Sequence, residues 1–380
     1  MFDVTDPPSE LDNTDDRAIA SDDILLIPQY SEIESSSEVD LSNYLGDYKL
    51  DIPIIASPMS TIGGAEMCVA MREAGGLGIV HRYMSIDKQS EILFEIADIL
   101  EDNEAPLAAA IGVTGDFKER ARRLVGQFVD IICIDVAHGH HILVKKAIEH
   151  LREEYGDQIH IMAGNVATPA AVFDLAVWGA DSIRVGVGGG SICSTRTNTG
   201  HGVPLLQSIF DINEAFGILN SEAMEEKMSD LFDETQQRII NDPPVLIADG
   251  GVRSAGDILK LIAAGADLVM CGSIVSGTDE CPGRVIQTND GLKYKEYEGM
   301  ASYEAQIKWR GTSSAPEGIA VHVPYKGPLA PILADLKGNM QRGLSYSGAK
   351  SIDEFQEVSE FILQTPASQV EGTTHIRRVI

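Results

Sequence analysis

Eight short, nearly uninterrupted apolar runs recur along the chain: PIIASPM (53–59), LGIVH (77–81), LAAAIG (107–112), IICIDVA (131–137), HIMAGNV (160–166), SIRVGV (182–187), VLIADGG (245–251) and LVMCGS (268–273). A strand buried on both faces reads as a continuous apolar run, whereas a half-exposed strand alternates, so these runs predict parallel strands covered by helices. Segments of helical spacing lie between them, among them GAEMCVAMREAG (64–75), ATPAAVFDLAVWGA (167–180) and SAGDILKLIAAGA (254–266). Thr168, Pro169 and Ser254 stand where helices begin. Eight such units predict an α/β fold, a (β/α)8 barrel (TIM barrel) forming a single domain over residues 21–380. An open doubly wound sheet is the alternative, because a count of strands does not establish closure.

Three segments depart from the pattern. Residues 1–20 are acidic, contain two adjacent prolines and read as a flexible arm. Residues 213–242, rich in Glu, Asp and Met, read as a helical excursion between strands six and seven whose charges form a solvated face. Residues 284–326 show no clear helix or strand period; after strand eight of a barrel such a segment lies over the mouth, and a flap is expected at about 297–326.

Composition narrows the possibilities. The 380 residues carry a formal charge of −29, which disfavours nucleic acid and acidic membrane surfaces. Simple solubility or a high-salt cytoplasm both account for that excess of acid. No apolar run reaches eighteen residues and the N-terminus lacks the basic-then-apolar start of a signal peptide, so a cytoplasmic protein is expected. The five cysteines are widely spaced and include no C-x-x-C pair, which argues for free thiols, mostly buried.

Candidate chemistry gathers where the runs end, because the carboxyl ends of barrel strands converge on one mouth: Ser57, His81, Asp135, His138, Asn165, Asp249 and Ser273. The stretch VGVGGGSICSTRTNTGHG (185–202) surrounds Cys193 with six glycines. A buried structural cysteine needs no such backbone, whereas a nucleophile brought against a flat ligand does, with Ser191, Ser194 and Thr195 supplying hydrogen bonds. Inward carbonyls there also suit a monovalent cation. In IADGGVRSAGD (247–257), Asp249 suits the hydroxyls of a ribose, and Gly250 and Gly251 precede a helix start suited to phosphate; Gly272 and Ser273 complete that cradle. These residues point to a nucleoside monophosphate beside a nucleophilic cysteine.

With GGSICSTR, IADGG, GSIVSGTDECPG, YEGMAS and PEGIAVHVPYKG in that order, the chain resembles the IMP dehydrogenase and GMP reductase family from about residue 21 to its end. The resemblance implies that Cys193 attacks C2 of the purine and that hydride passes between C2 and a nicotinamide. It also implies that Ser191, Gly251, Gly272, Ser273 and Tyr297 hold the phosphate, Asp249 the ribose, and Gly299, Met300 and Glu317 the base. Asp135, Val136, Ala137 and Gly186 would face NADPH or NAD. Carbonyls of Gly188, Gly190 and Cys193 would bind potassium (K+) with Glu371, Gly372 and Thr373 of a neighbouring subunit, which implies a homotetramer. The paired CBS module that the family's dehydrogenases insert after strand two has no room in the short path from residue 87 to 107.

The direction of reaction turns on the flap, MASYEAQIKWRGTSSAPEG (300–318). The resemblance implies that a dehydrogenase activates water with an Arg-Tyr pair there; this chain has Arg310 followed by glycine. A reductase resembling the family would place a glutamate beside Thr195; Tyr303 holds that position, with Glu304 next to it. GMP reduction to IMP with NADPH is therefore expected, IMP oxidation by NAD with Arg310 as activator being the alternative. A catalytically inactive nucleotide-binding homologue and a flavin-dependent barrel are more distant readings.

Overall fold

A computed structural model describes residues 17–100, 106–221, 224 and 227–372. All eight apolar runs form strands: β1 (Ile54–Ala56), β2 (Leu77–Val80), β3 (Ala108–Ile111), β4 (Ile131–Asp135), β5 (His160–Val166), β6 (Ser182–Val185), β7 (Val245–Asp249) and β8 (Leu268–Cys271). Neighbours pair in parallel, and β8 pairs back onto β1 with Val269 opposite Ile54, so the sheet closes into a barrel and the open-sheet alternative falls away.

The continuous apolar runs resolve into two layers with the period of two that a strand imposes. Ile55, Ile79, Ala110, Cys133, Met162, Ile247 and Met270 point into the barrel, and Ile54, Val80, Ile132, Ile161, Ile183 and Val269 point outward under the helices. A hairpin of Asn43–Leu45 and Tyr48–Leu50 adds Leu45 and Leu50 to the inner layer. At the tops of β4, β6 and β7 the inward positions change from apolar to charged, as Asp135, Arg184 and Asp249.

The outer helices include α1 (Ala65–Glu73), α2 (Ile86–Leu100), α3 (Phe117–Val125), α4 (Ile142–Tyr155) and α5 (Pro169–Trp178). Thr168 caps α5, its hydroxyl accepting from the Ala171 amide, and Pro169 occupies the first turn. After the short helix α6 (Thr195–Thr199) comes α7 (Leu205–Leu219), which buries Leu206, Ile209, Ile212 and Phe216. Those apolar positions carry the ordinary barrel helix through residue 219, so the excursion begins later than 213 and includes α8 (Met228–Leu231) and α9 (Glu234–Asn241). The barrel is completed by α10 (Ala255–Ala263), which Ser254 caps.

Residues 284–326 are more regular than their sequence indicates. They form a three-stranded antiparallel sheet of β9 (Ile286–Gln287), β10 (Lys293–Glu298) and β11 (Ala320–Pro324), with α11 (Tyr303–Arg310) between the last two strands. Short strands facing solvent on one side carry too few apolar positions to register as a pattern. Trp309 of α11 stacks on Tyr83 with ring centroids 5.7 Å apart, and Lys308 reaches Glu296 and Glu298, which fixes the flap helix beside the loop after β2. The long α12 (Leu329–Tyr346) follows.

Of the arm expected at 1–20, residues 1–16 lie outside the described residues; Ile19 is already anchored, its amide donating to Gln207. Among the described residues no helix is long and apolar enough to cross a membrane.

Two buried histidines give stability a definite dependence on pH. Burial pushes His81 and His160 down to about 4 from the ordinary 6.5, so both are neutral in the fold. Unfolding below pH 6.5 therefore takes up protons, and stability falls as pH drops toward 4. Asp267, pushed up to about 6 by burial, opposes this by binding a proton in the folded state. Two imidazoles against one carboxyl leave a net uptake of about one proton, a loss of about 1.4 kcal/mol per pH unit. Denaturant titrations between pH 6 and 5 should show that slope, and His81→Gln combined with His160→Gln should abolish or reverse it.

Candidate active site

Strands β1 and β4–β8 deliver their end residues to one cavity of about 410 Å3. Its lining includes Ser57, Asp135, Asn165, Arg184, Cys193, Asp249, Ser273, Tyr297 and Glu317, so residues more than 250 positions apart converge. A larger, more open groove of about 1060 Å3 between α10 and α12 shares only Ser273 with it and contains no cysteine.

Cys193 is exposed, whereas Cys68, Cys133, Cys271 and Cys281 are buried. Burial pushes the thiols of Cys68, Cys133 and Cys271 up to about 12, which keeps them protonated and unreactive. The loop carrying Cys193 is stitched to the end of the flap: the Ser194 amide donates to the Glu317 carbonyl at 3.0 Å and the Ile319 amide to that of Ile192 at 3.0 Å. Gly318 allows this approach, since a Cβ there would lie 3.3 Å from the Ile192 carbonyl oxygen and 3.4 Å from the Ser302 amide nitrogen. Gly299 packs against the same backbone.

One line of polar atoms leads away from the sulfur. The Cys193 thiol donates to Thr195 Oγ1 at 3.2 Å, and that hydroxyl donates to Glu317 Oε2 at 2.7 Å. The arrangement is a thiol whose proton has a two-step path to a carboxylate, the organisation of an activated nucleophile. Glu304, expected beside Thr195, lies elsewhere. Ser302 caps α11 and the helix buries Ala305 and Gln306, which turns Glu304 outward to solvent. Arg310 is likewise outside the cavity, donating to Gln306 Oε1 at 2.6 Å.

Asp249 is approached from one side only. Its Oδ2 accepts from Asn165 Nδ2 at 2.8 Å and from Arg184 Nη2 and Nε at 2.8 and 3.1 Å. Among the described residues no donor reaches Oδ1, which is left for a ligand such as a ribose hydroxyl. Gly186 permits this packing, because a Cβ there would lie 2.0 Å from the Asp249 carbonyl oxygen. Gly250 and Gly251 turn the chain away at φ +123° and +68°. The ring of Tyr297 is buried, which pushes its phenol up to about 12 and keeps the hydroxyl a donor. That hydroxyl stands 2.7 Å from where a Cβ on Gly272 would sit, so only glycine lets it pack there, and Gly251, Gly272, Ser273 and Tyr297 together line this part of the cavity. Gly272→Ala should push the Tyr297 hydroxyl aside and raise the KM for a phosphorylated substrate about tenfold, a cost near 1.4 kcal/mol; initial-rate kinetics check it.

Met300, Gly299, Ser191, Asp135, Val136, Ala137 and Gly186 also line the cavity. Burial alone would raise the Asp135 carboxyl, but the Arg184 and Arg82 guanidiniums outweigh it and hold the group below the usual carboxylate range. Gly188 and Gly190 border the cavity beside Cys193. Glu371 and Gly372 end a helix (Pro366–Glu371) packed near the turn at 21–23, and Thr373 lies outside the described residues. Two of the histidines and hydroxyls at the strand ends do not join the site. His81 plays a structural part, buried with Nδ1 accepting the Tyr83 amide, and His138 lies outside the cavity, edge-on to His141.

A profile of the IMP dehydrogenase / GMP reductase domain matches residues 18–375. The chain belongs to that family. It is an oxidoreductase of the IMP dehydrogenase / GMP reductase type, and the family uses NAD(P). Inosine-5'-monophosphate dehydrogenase of Borreliella burgdorferi is 33% identical over 418 residues, spanning 94% of this chain and 96% of that protein. GMP reductase of Leishmania major is 30% identical over 496 residues, spanning 93% and 96%. A crystal structure of Trypanosoma brucei GMP reductase in complex with guanosine 5'-monophosphate superposes with a TM-score of 0.83 at 28% identity, covering 95% of this chain and 98% of that one. Members with both activities are thus similar to it to nearly the same degree.

Arg184 is the site residue that the sequence reading passed over, and its signal was there: it is the one charged residue in an otherwise apolar buried run. A charge in that position is costly unless it is paired.

Proposed function

We propose that this protein reduces GMP to IMP with NADPH through a covalent bond between Cys193 and purine C2. The observation that carries the reading is the line Cys193–Thr195–Glu317, together with the position of Arg310 on α11, bonded to Gln306 and outside the cavity. The path suits moving a proton between sulfur and a group on the same carbon; no arginine on the flap reaches the cavity to activate water.

In the proposed course the phosphate lies against Gly251, Gly272, Ser273 and Tyr297, and the ribose hydroxyls donate to Asp249 Oδ1. The base lies over Met300 and Gly299 beside Cys193. The thiol proton passes through Thr195 to Glu317 as sulfur bonds to C2. That proton returns along the same path to the C2 amino group, which leaves as ammonia, and a thioimidate on Cys193 remains. NADPH, when bound beside Asp135–Ala137 and Gly186, supplies the hydride that C2 requires. Breaking the C2–S bond releases IMP and restores the thiol with one proton from solvent, so that GMP, NADPH and one proton give IMP, ammonia and NADP+.

The cavity wall supports dinucleotide binding: Val136 and Ala137 offer an apolar surface and Gly186 a bare one. Potassium is proposed at the carbonyls of Gly188, Gly190 and Cys193. Those of Gly188 and Cys193 accept no protein hydrogen bond among the described residues, whereas that of Gly190 takes the Cys193 amide at 3.0 Å. Neutral oxygens of this kind suit a hard cation of low charge. A homotetramer would supply the remaining ligands from Glu371, Gly372 and Thr373 of a neighbour.

IMP oxidation by NAD is the second reading, favoured by the Borreliella burgdorferi relative, whose match spans both chains almost fully. The reduced nicotinamide absorbance separates the two. It should fall with GMP and NADPH in potassium buffer and stay flat with IMP and NAD; a rise in the second assay alone reverses the assignment.

A further inference from the structure

From the floor of the cavity we infer that Arg184 is a positioning residue that couples the two halves of the site, linking nucleotide binding at Asp249 to dinucleotide binding at Asp135. The inference rests on the assignment of those two carboxylates to the two ligands.

Arg184 points inward from β6, near the bottom of the cavity, and only 6% of it is exposed. Its guanidinium spans three strands. Nη1 donates to Asp135 Oδ1 on β4 at 2.8 Å, while Nη2 and Nε donate to Asp249 Oδ2 on β7. To reach β4 it crosses β5, where Gly164 leaves the way open: a Cβ there would lie 2.6 Å from that of Arg184. Arg82 approaches Asp135 Oδ2 at 3.5 Å, so two guanidiniums balance two carboxylates beneath a pocket that receives an anion in a chain of charge −29. Burial opposes the charge on Arg184, and Asp249 and Asp135 overcome that, so it stays protonated. A lysine could not replace it, since one ammonium lacks the planar fork that meets two carboxylates at once.

Each carboxylate therefore keeps one oxygen on the shared guanidinium, and for Asp249 this leaves Oδ1 exposed to the ligand. If either partner is removed, the fork can turn onto both oxygens of the other, in the bidentate pairing that arginine and carboxylate favour. The remaining carboxylate would then lose the oxygen it offers to its own ligand.

Isothermal titration of GMP alone and of NADP+ alone tests this. Asp135→Asn should weaken GMP binding about tenfold although Asp135 faces the dinucleotide, and Asp249→Asn should weaken NADP+ binding comparably; couplings of this order are typical between linked sites. In an Arg184→Lys background both cross-effects should shrink below twofold, while melting temperatures show that each variant is folded. The asparagine side chains preserve shape, so loss of packing does not imitate the result. Cross-effects below twofold with Arg184 in place, or cross-effects that persist at full size in the Arg184→Lys background, overturn the inference. Failure of the unaltered protein to bind GMP or NADP+ at all would instead overturn the functional assignment beneath it.

Discussion

Cys193→Ala should lower turnover by about 10⁴-fold or more while leaving GMP affinity within a few-fold, the outcome expected when a covalent nucleophile is lost and its pocket remains. The pocket is built by other residues, among them Gly272, Tyr297 and Asp249. No other thiol can take over, because the remaining four cysteines are buried. Cys193→Ser should fare little better, since a hydroxyl is a far weaker nucleophile at neutral pH than a thiolate. Steady-state rates with GMP and NADPH, paired with calorimetric GMP binding, check both halves. Retained turnover in Cys193→Ala would place the chemistry elsewhere.

The second large effect is expected at the other end of the proton path. Glu317→Gln keeps the shape of the side chain and an oxygen to accept from Thr195, but removes the group that holds the proton. A loss of about 10²–10⁴-fold in kcat is expected, the range for a positioned acid or base, with the KM for GMP changed much less. Thr195→Ala should cost a similar factor, and the double variant little more than either single one, because two residues of one relay are not independent. Glu304→Gln and Arg310→Ala should each leave kcat within about twofold, being surface changes outside the cavity. A Glu304→Gln defect larger than that of Glu317→Gln would show that the flap rearranges around the substrate.

The barrel was legible because its strands are buried on both faces, so composition alone marks them: all eight runs from Ile54 to Cys271 became barrel strands. The flap was not, since β10 reads KYKEYE and alternates between sheet face and solvent in a segment with few apolar residues. Within the site, Cys193 and Asp249 announced themselves through the glycines around them, of which Gly186 lies against the Asp249 carbonyl and Gly250 and Gly251 against the backbone of Gly189. Which carboxylate meets Thr195 was beyond sequence, because Glu304 and Glu317 are both near in the chain and only the register of α11 sends one outward and the fold of the loop brings the other in. The charge of Arg184 in an apolar run was legible but its partners were not: Asp135 and Asp249 lie 49 and 65 residues away and meet it only through barrel closure.

The most direct test of the account is the mass of the intact protein after mixing with GMP without dinucleotide and quenching in acid. An adduct of GMP less ammonia, located on Cys193 by peptide mapping and absent from Cys193→Ala, is the predicted result; IMP with NADP+ should give the same mass, because the hydride step run in reverse reaches the same thioimidate. Unmodified Cys193 under both conditions, in protein that turns over either substrate pair, would contradict it.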